Sequence, residues 1–480
     1  MDDSDYIPDS TSEISNISEI NSVEPDVPDD DEIVDLSEDD IAELTIITYE
    51  ELENYIKQNI LLIASPTFYK DMVACTIETL FDVCLFADLF DFEDFDDYVD
   101  EITELVEQLA DVFLGFYDMP MRSITYTTDS ADKQLSAEQI ILLQAKIIAL
   151  QNIPQPKQKT KEWYEFRYNL ITASNLWKAL GSESQQNSLI YEKCKPLDSG
   201  QSMYGSCNTE SAMHWGVKYE PVTVQLYEAM FQTKIGDFGC IAHPEHPYIG
   251  ASPDGINIDP ANSRFGRMLE IKNIVNREIT GIPKEEYWVQ TQIQMETCDL
   301  DECDFVETRF EEYPSSTSFY ADTEQEYRGI ILHFIERINA AKMPAYNAVV
   351  KSNAPTYRYM PTNVPIDADA IGEWINIEKE EAKGKGLVLF STIYWYLDEI
   401  SCVLIPRNRE WFLAAVPKIA ALWQIVLKER VEGYEHRASK KRIAKVNVMC
   451  VDSSNSYMIQ NMPATNSICL IRFDENGNVI

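Results

Sequence analysis

Basic residues are scarce in this sequence: 39 Lys and Arg stand against 81 Asp and Glu, a formal net charge of −42. Such a balance argues against a polyanionic partner, because phosphate binding needs lysine and arginine to displace condensed counterions. The deficit is uneven, however. Residues 1–118 hold 35 acids against only Lys57 and Lys70, whereas the remaining 362 residues carry 46 acids and 37 bases, a net of −9. An acidic arm is joined to a nearly balanced body, and a balanced body can still present a local basic groove. Long apolar runs are missing too: no stretch of about 18 uncharged apolar residues occurs. Met1-Asp2-Asp3-Ser4-Asp5 offers no basic start and no apolar run behind it. The expectation is a soluble, non-secreted, intracellular protein with no membrane partner. The ten cysteines are scattered without paired spacing, which excludes a disulfide framework and implies free, mostly buried thiols. Only Cys298 and Cys303 are close in sequence, and no second half-site completes a zinc cage.

At 480 residues the chain exceeds what one hydrophobic core usually supports, so two or three domains are expected. Residues 1–40 are rich in Asp, Glu, Ser and Pro and poor in aromatics, which predicts a disordered acidic tail. A solvating arm is favoured over a DNA mimic or a docking segment. Residues 41–152 read as a helical domain. Leu52, Tyr55 and Ile56 fall at helical spacing, as do Ile102, Leu105, Leu109 and Phe113, and a further helix is expected over Ser136–Gln151. The acidic, aromatic run Phe90–Asp97 reads as a loop or helix start. Asn152-Ile153-Pro154-Gln155-Pro156 ends the last helix and makes a hinge. The core is placed at 153–350 and a C-terminal α/β extension at 351–480. The extension has helices over Asp367–Lys383 and Arg409–Arg430, strands over Leu387–Asp398 and Ser401–Pro406, and a β element from Ile443 to Ile480. Its aromatics, Tyr394, Trp395, Tyr396, Trp411 and Trp423, are expected in a core rather than stacked on bases.

Chemistry-bearing residues concentrate in the core segment. Strands are expected over Phe238–His243, Tyr248–Ser252, Arg267–Lys272 and Cys303–Phe310, and helices over Tyr219–Phe231 and Lys284–Cys298. This is an α/β fold with a small mixed sheet flanked by helices. Asp254 sits in the turn-forming Ser252-Pro253-Asp254-Gly255. Glu270 and Lys272 are two apart on the following strand, so both project from one face. Their setting, Met268-Leu269-Glu270-Ile271-Lys272, is apolar, and charges buried there need a metal or each other. Phosphodiester hydrolysis needs an attacking hydroxide, stabilisation of developing phosphoryl charge and a stabilised leaving oxygen, all of which divalent cations supply. Asp254, Glu270 and the Ile271 carbonyl offer the hard oxygen donors that Mg²⁺ prefers, with Mn²⁺ as a substitute. Lys272 is placed to position water and stabilise charge, and beside a cation its pKa would fall, giving some general-base character. Glu220, on the preceding helix, is within reach of the same site.

These residues carry a resemblance. Trp163-Tyr164-Glu165-Phe166-Arg167, Ile171-Thr172-Ala173-Ser174, Gly216-Val217-Lys218-Tyr219-Glu220-Pro221, Gly250-Ala251-Ser252-Pro253-Asp254-Gly255, Leu269-Glu270-Ile271-Lys272 and Tyr287-Trp288-Val289-Gln290-Thr291-Gln292 resemble, in order, the blocks of the lambda-type exonucleases, or YqaJ-like viral recombinases. That family lies within the PD-(D/E)xK nuclease superfamily. The resemblance implies a restriction-endonuclease-like core, with Asp254 and Glu270 as metal ligands and Glu220 beside the metals. It also implies Lys272 as the catalytic lysine and Gln290 as the glutamine that closes the site. Arg167, Ser174 and Ser252 match positions that bind the 5′-phosphate of a DNA end, a task suited to a guanidinium fork and hydroxyl donors. The alternative for Arg167 is a surface ion pair with Glu162 or Glu165. Asn273 and Ile274 replace the family's usual cysteine and proline.

The activity implied is Mg²⁺-dependent 5′→3′ digestion of duplex DNA ends, leaving single strands for recombination or genome processing. A single-strand annealing protein and an oligomer are the implied partners. The implied setting is a large DNA virus and the cytoplasm or nucleus of its host. A structure-specific endonuclease and an inactive nuclease-fold DNA-binding or assembly protein remain alternatives, while an iron–sulfur nuclease lacks its four-cysteine set. His243 and His246 look like a metal pair but are read as structural or groove-lining, and His214 as packing. The basic cluster Arg437, Lys440, Lys441, Arg442 and Lys445 reads equally as a phosphate grip or a solvated loop.

Overall fold

Three helices open the described chain: α1 (Glu38–Gln58), α2 (Phe68–Phe86) and α3 (Phe95–Phe116). The computed structural model describes residues 38–86, 95–128, 134–158, 160–197, 211–336, 355–438, 445–451 and 457–463. Nearly all of the acidic segment 1–40, part of the run Phe90–Asp97, and Lys440, Lys441 and Arg442 lie outside these residues. Leu44, Leu52 and Ile56 bury one stripe of α1, and Ile102, Val106 and Ala110 bury one stripe of α3. The α3 stripe sits one residue from the spacing expected, leaving Leu105 and Phe113 at its margin. After β1 (Tyr126–Thr127), helix α4 (Ala137–Asn152) starts at a capping box between Ser136 and Gln139 and stops at Ile153, ahead of Pro154.

Next come α5 (Lys161–Tyr168), β2 (Ile171–Thr172), α6 (Ala173–Leu180), α7 (Glu183–Cys194) and α8 (Ala212–Met230). Short strands β3 (Ile235–Gly236), β4 (Ile241–Ala242), β5 (Ile249–Ala251) and β6 (Gly255–Asn257) lead to β7 (Met268–Ile274), α9 (Glu285–Cys298) and β8 (Glu302–Glu312). The chain continues through α10 (Ser316–Ala321), β9 (Arg328–Glu336), β10 (Thr356–Tyr359), α11 (Ala368–Gly384), β11 (Leu387–Pro406) and α12 (Arg409–Glu432) to a hairpin of β12 (Lys445–Val451) and β13 (Tyr457–Pro463).

The main sheet runs β10-β9-β11-β8-β7-β6-β3, with β1 also on β11, and a second sheet runs β2-β5-β4. β7 and β8 are parallel, with α9 as their crossover, and the other pairs in the main sheet are antiparallel. This is the mixed α/β architecture expected from sequence. One expectation fails: β11 is a single 20-residue strand rather than two. The strand bulges at Leu397/Glu399, just before the expected break, and Arg309 meets both neighbouring carboxylates, 3.6 Å from Asp398 and 2.5 Å from Glu399.

The largest apolar cluster is continuous across the chain. It joins α1–α3 to Trp288, Val289 and Ile293 of α9, and these to Trp411, Ile419 and Trp423 of α12. Trp411 meets Trp288 edge-on at 5.2 Å. Trp395 likewise packs edge-on against Phe310, so the aromatics of the extension serve the core. Helix α12 has the length and hydropathy to cross a membrane; Trp411, Ile419, Trp423 and Val426 pack into this cluster, while Leu413 and Val431 are exposed.

Candidate active site

The site forms where β6 leaves β7. The Asp254 amide donates to the Leu269 carbonyl at 3.1 Å, and the Ile271 amide donates to Asp254 Oδ2 at 2.7 Å. The turn thus pins its own carboxylate against the middle of β7. Close approach requires Gly255 here: a Cβ would meet Ile235 Cγ2 at 2.2 Å. On β7 the side chains alternate, so Glu270 and Lys272 share the face that carries Asp254. Glu270 is only 1% exposed, and Lys272 Nζ donates to its Oε1. Helix α9 packs over this face. Gln290 Nε2 donates to Glu270 Oε1 at 2.8 Å, and Gln290 Oε1 lies 3.5 Å from Lys272 Nζ. Tyr287, one turn earlier, sets its ring 4.8 Å from the same ammonium.

The structure therefore brings together Asp254, Glu270, Lys272, Gln290 and the backbone of Ile271. Glu220 on α8 is exposed and acts at longer range, through its charge on Asp254. Among the described residues no three His, Cys, Asp or Glu side chains form a metal-holding group, so Glu220 is not part of a shared three-carboxylate cage. Sequence patterns missed Gln294, whose Nε2 donates to Glu270 Oε2 at 2.7 Å. Its four-residue spacing from Gln290, which places both on one helix face, was the available signal.

Burial and the neighbouring Glu270 push the Asp254 carboxyl well above the usual carboxylate range, with Lys272 and the Ile271 amide acting in the opposite direction. Burial alone would lower Lys272, but the Glu270 and Asp254 carboxylates outweigh it and hold the ammonium above the ordinary lysine range. The general-base character expected of Lys272 depends on a cation beside it, whereas the neighbours here are anions. One lysine leaves the two carboxylates incompletely balanced. Oxygen donors with surplus negative charge are the chemistry that a hard divalent cation fits.

Two strand ends converge beside this group. β2 and β5 are parallel, pairing Thr172 with Gly250, which puts Ser174 and Ser252 two residues beyond the same end of that pair. Ser174 Oγ lies 3.3 Å from Thr172 Oγ1, and the Ser252 carbonyl accepts from Gln294 Nε2 at 3.4 Å. Arg167 makes no ion pair with Glu162 or Glu165; Glu165 pairs with Lys161 instead, at 3.4 Å. The Arg167 guanidinium stacks over Trp163, 4.6 Å from the ring centre. Two further cations, both unforeseen, hold the end of α5 that carries it. Lys193 Nζ donates to the Arg167 carbonyl at 3.0 Å and Arg430 to the Tyr168 carbonyl at 2.6 Å. Burial pushes Lys193 down to about 8.

The remaining candidates are structural. His243 Nδ1 accepts from the Glu245 and His246 amides, both at 3.1 Å, and its ring stacks on Phe412. His214 shares a 2.6 Å hydrogen bond with the Tyr357 hydroxyl. Arg437 is paired with Glu429 at 2.5 Å, which removes the first member of the basic cluster from phosphate binding. Cys298 and Cys303 are buried free thiols.

Comparison with known proteins bears on the same segment. Residues 162–301 match the model of the YqaJ-like viral recombinase domain. An uncharacterized protein of Acanthamoeba polyphaga mimivirus is 26% identical over 307 residues, covering 59% of this chain and 54% of the relative. The chain thus spans about half the length of that relative. Among solved structures, the alkaline exonuclease LHK-Exo from Laribacter hongkongensis is similar at 17% identity and a TM-score of 0.32, over 58% of this chain and 97% of the other. A phage-related exonuclease from Haemophilus somnus 129PT is similar at 14% identity and a TM-score of 0.29, over 55% and 96%. Asp254, Glu270, Lys272 and Gln290 all lie inside the segment, residues 162–301, that is similar to the YqaJ-like viral recombinase domain.

Proposed function

We propose that this protein is a divalent-metal-dependent deoxyribonuclease that digests duplex DNA from its ends, 5′→3′, leaving single-stranded overhangs for viral recombination or genome processing. The observation that carries this reading is the meeting of Asp254, Glu270 and Lys272 on one face of β7, with Asp254 bound to the Ile271 amide and Glu270 to the Lys272 ammonium. Asp254, Glu270 and the Ile271 carbonyl would hold Mg²⁺ or Mn²⁺, with Glu220 adding negative charge nearby. Such an ion, when bound, supplies an activated hydroxide and stabilises phosphoryl charge.

The chain's own side chains do the rest. Lys272 keeps its proton on Nζ and offers a fixed positive charge to the phosphoryl oxygens as they become more negative. Gln290 holds Glu270 Oε1 and sits over Lys272, closing the site to bulk water. Arg167, Ser174 and Ser252 take the terminal 5′-phosphate, which orients the duplex so that the bond behind the end reaches Lys272. A single-strand annealing protein would take up the exposed strand, in the cytoplasm or nucleus of an infected cell.

The test uses linear duplexes with and without a 5′-phosphate, and closed circles, each with Mg²⁺ and with EDTA, together with Lys272→Ala. Loss of linear but not circular substrate, dependent on Mg²⁺ and on Lys272, is expected. Circles degraded as fast as linear DNA would overturn end recognition, and full activity in Lys272→Ala would overturn the site.

A further inference from the structure

We propose that Gln294 is a positioning residue for the divalent-cation site: its buried amide fixes the plane of the Glu270 carboxylate and thereby sets metal affinity. This rests on the reading of Asp254 and Glu270 as cation ligands. The terminal torsion of a glutamate is soft and broad, so a single hydrogen bond does not define where its second oxygen points. Here each oxygen has its own amide donor from successive turns of α9. Gln290 Nε2 holds Oε1 at 2.8 Å and Gln294 Nε2 holds Oε2 at 2.7 Å. The Gln294 amide also reaches the Ser252 carbonyl at 3.4 Å. It therefore links Glu270 to the turn that carries Asp254, the other ligand.

Packing does not explain a glutamine at this position. Gln294 is 0% exposed, and its Oε1 is buried with no hydrogen-bond partner. An orphaned acceptor is unfavourable in a folded core, so the amide is kept for its donor, which serves the buried Glu270 Oε2. Turning the amide over would set Oε1 against the Glu270 carboxylate, so the donor is kept toward Glu270 with Oε1 left unpaired. Gln292, between the two, shows what a structural glutamine does here: its Nε2 donates to the Pro406 carbonyl at 3.0 Å and its Oε1 accepts from the Asn408 amide at 2.7 Å. Both ends are satisfied, away from the site. Partners that orient metal-binding side chains typically change metal affinity by about 10- to 100-fold when removed.

The experiment compares the full chain with Gln294→Met, Gln294→Leu and Gln292→Met. Mn²⁺ binding is followed by calorimetry, thermal unfolding is measured in EDTA, and digestion of a linear duplex is measured across Mn²⁺ concentrations. The Gln294 variants are expected to melt lower in EDTA, because Glu270 Oε2 loses its donor, to bind Mn²⁺ about 10- to 100-fold more weakly, and to regain most of their kcat at high Mn²⁺. Gln292→Met is expected to melt lower with wild-type Mn²⁺ affinity. Unchanged Mn²⁺ affinity in both Gln294 variants overturns this inference alone. A wild-type chain that binds no Mn²⁺ overturns the cation-site reading, and this inference with it.

Discussion

Removing Lys272 tests whether the site's charges are mutual partners. Lys272→Met leaves Glu270, 1% exposed, facing Asp254 with two amides and no cation. Breaking a buried ion pair from one side costs about 3–5 kcal/mol. The low end, about 3 kcal/mol, is expected because the Lys272 side chain keeps 21% of its surface in solvent. Glu270→Gln removes the other partner and leaves Lys272 beside Asp254, so a smaller loss, about 1–2 kcal/mol, is expected on the same grounds. In the double variant neither stranded charge remains, and its loss should fall short of the sum by about 1–2 kcal/mol. Urea unfolding in EDTA, followed by tryptophan fluorescence, gives all four corners of the cycle. Strictly additive losses would refute the pairing, and with it the account of why two charges occupy an apolar strand. Activity separates from stability here. Each variant, the double included, should lose at least about 100-fold in cleavage, the usual consequence of removing a group that stabilises transition-state charge.

Three further outcomes are expected. His243 is 6% exposed, and burial, then the charge of His246, push it down to about 4. The unfolded chain therefore takes up a proton below about pH 6.5 that the folded chain refuses, and stability falls by about 1.4 kcal/mol per pH unit from there towards pH 4. His243→Asn, which keeps an acceptor, should flatten that slope in thermal unfolding, and an unchanged slope removes His243 as its source. Arg167→Lys loses the planar fork and its stacking on Trp163, so the preference for 5′-phosphorylated over 5′-hydroxyl ends should drop by about tenfold. A preference left intact in end-labelled digests places the phosphate elsewhere. Trp411→Ala deletes a fully buried ring against Trp288 and should cost about 3–5 kcal/mol in urea unfolding, whereas a loss below about 1 kcal/mol would mean the cluster reseals around the gap.

Local chemistry was legible in the sequence where few residues determine it. Asp254 follows from a Ser-Pro-Asp-Gly turn, and Glu270 and Lys272 from strand alternation. The helices over Ala368–Gly384 and Arg409–Glu432 follow from periodicity. What escaped depends on distant partners. The break read between Asp398 and Ser401 is instead continuous strand with a bulge at Leu397/Glu399, where Arg309, on β8, meets Asp398 and Glu399. Lys193 and Arg430 show no pattern; both owe their place to the carbonyls at the end of α5. Strands β9 and β10 were passed over because their pairing crosses a long stretch of chain. The sign of the Lys272 shift depends on which charge stands nearest, the Glu270 and Asp254 carboxylates here or a cation when one is bound, and spacing alone does not reveal that balance.

The shared apolar cluster bears on how this protein can be dissected. A fragment cut to the family segment, 162–301, would carry Trp288 without the indole that covers it. It would also keep β7 while discarding β8, along with β11, on which β8 in turn depends. The strand that carries Glu270 and Lys272 would become an open edge, prone to self-association. The matched segment is therefore not, in this chain, one that can be excised: flanking sequence on both sides is part of what holds Asp254, Glu270 and Lys272 together.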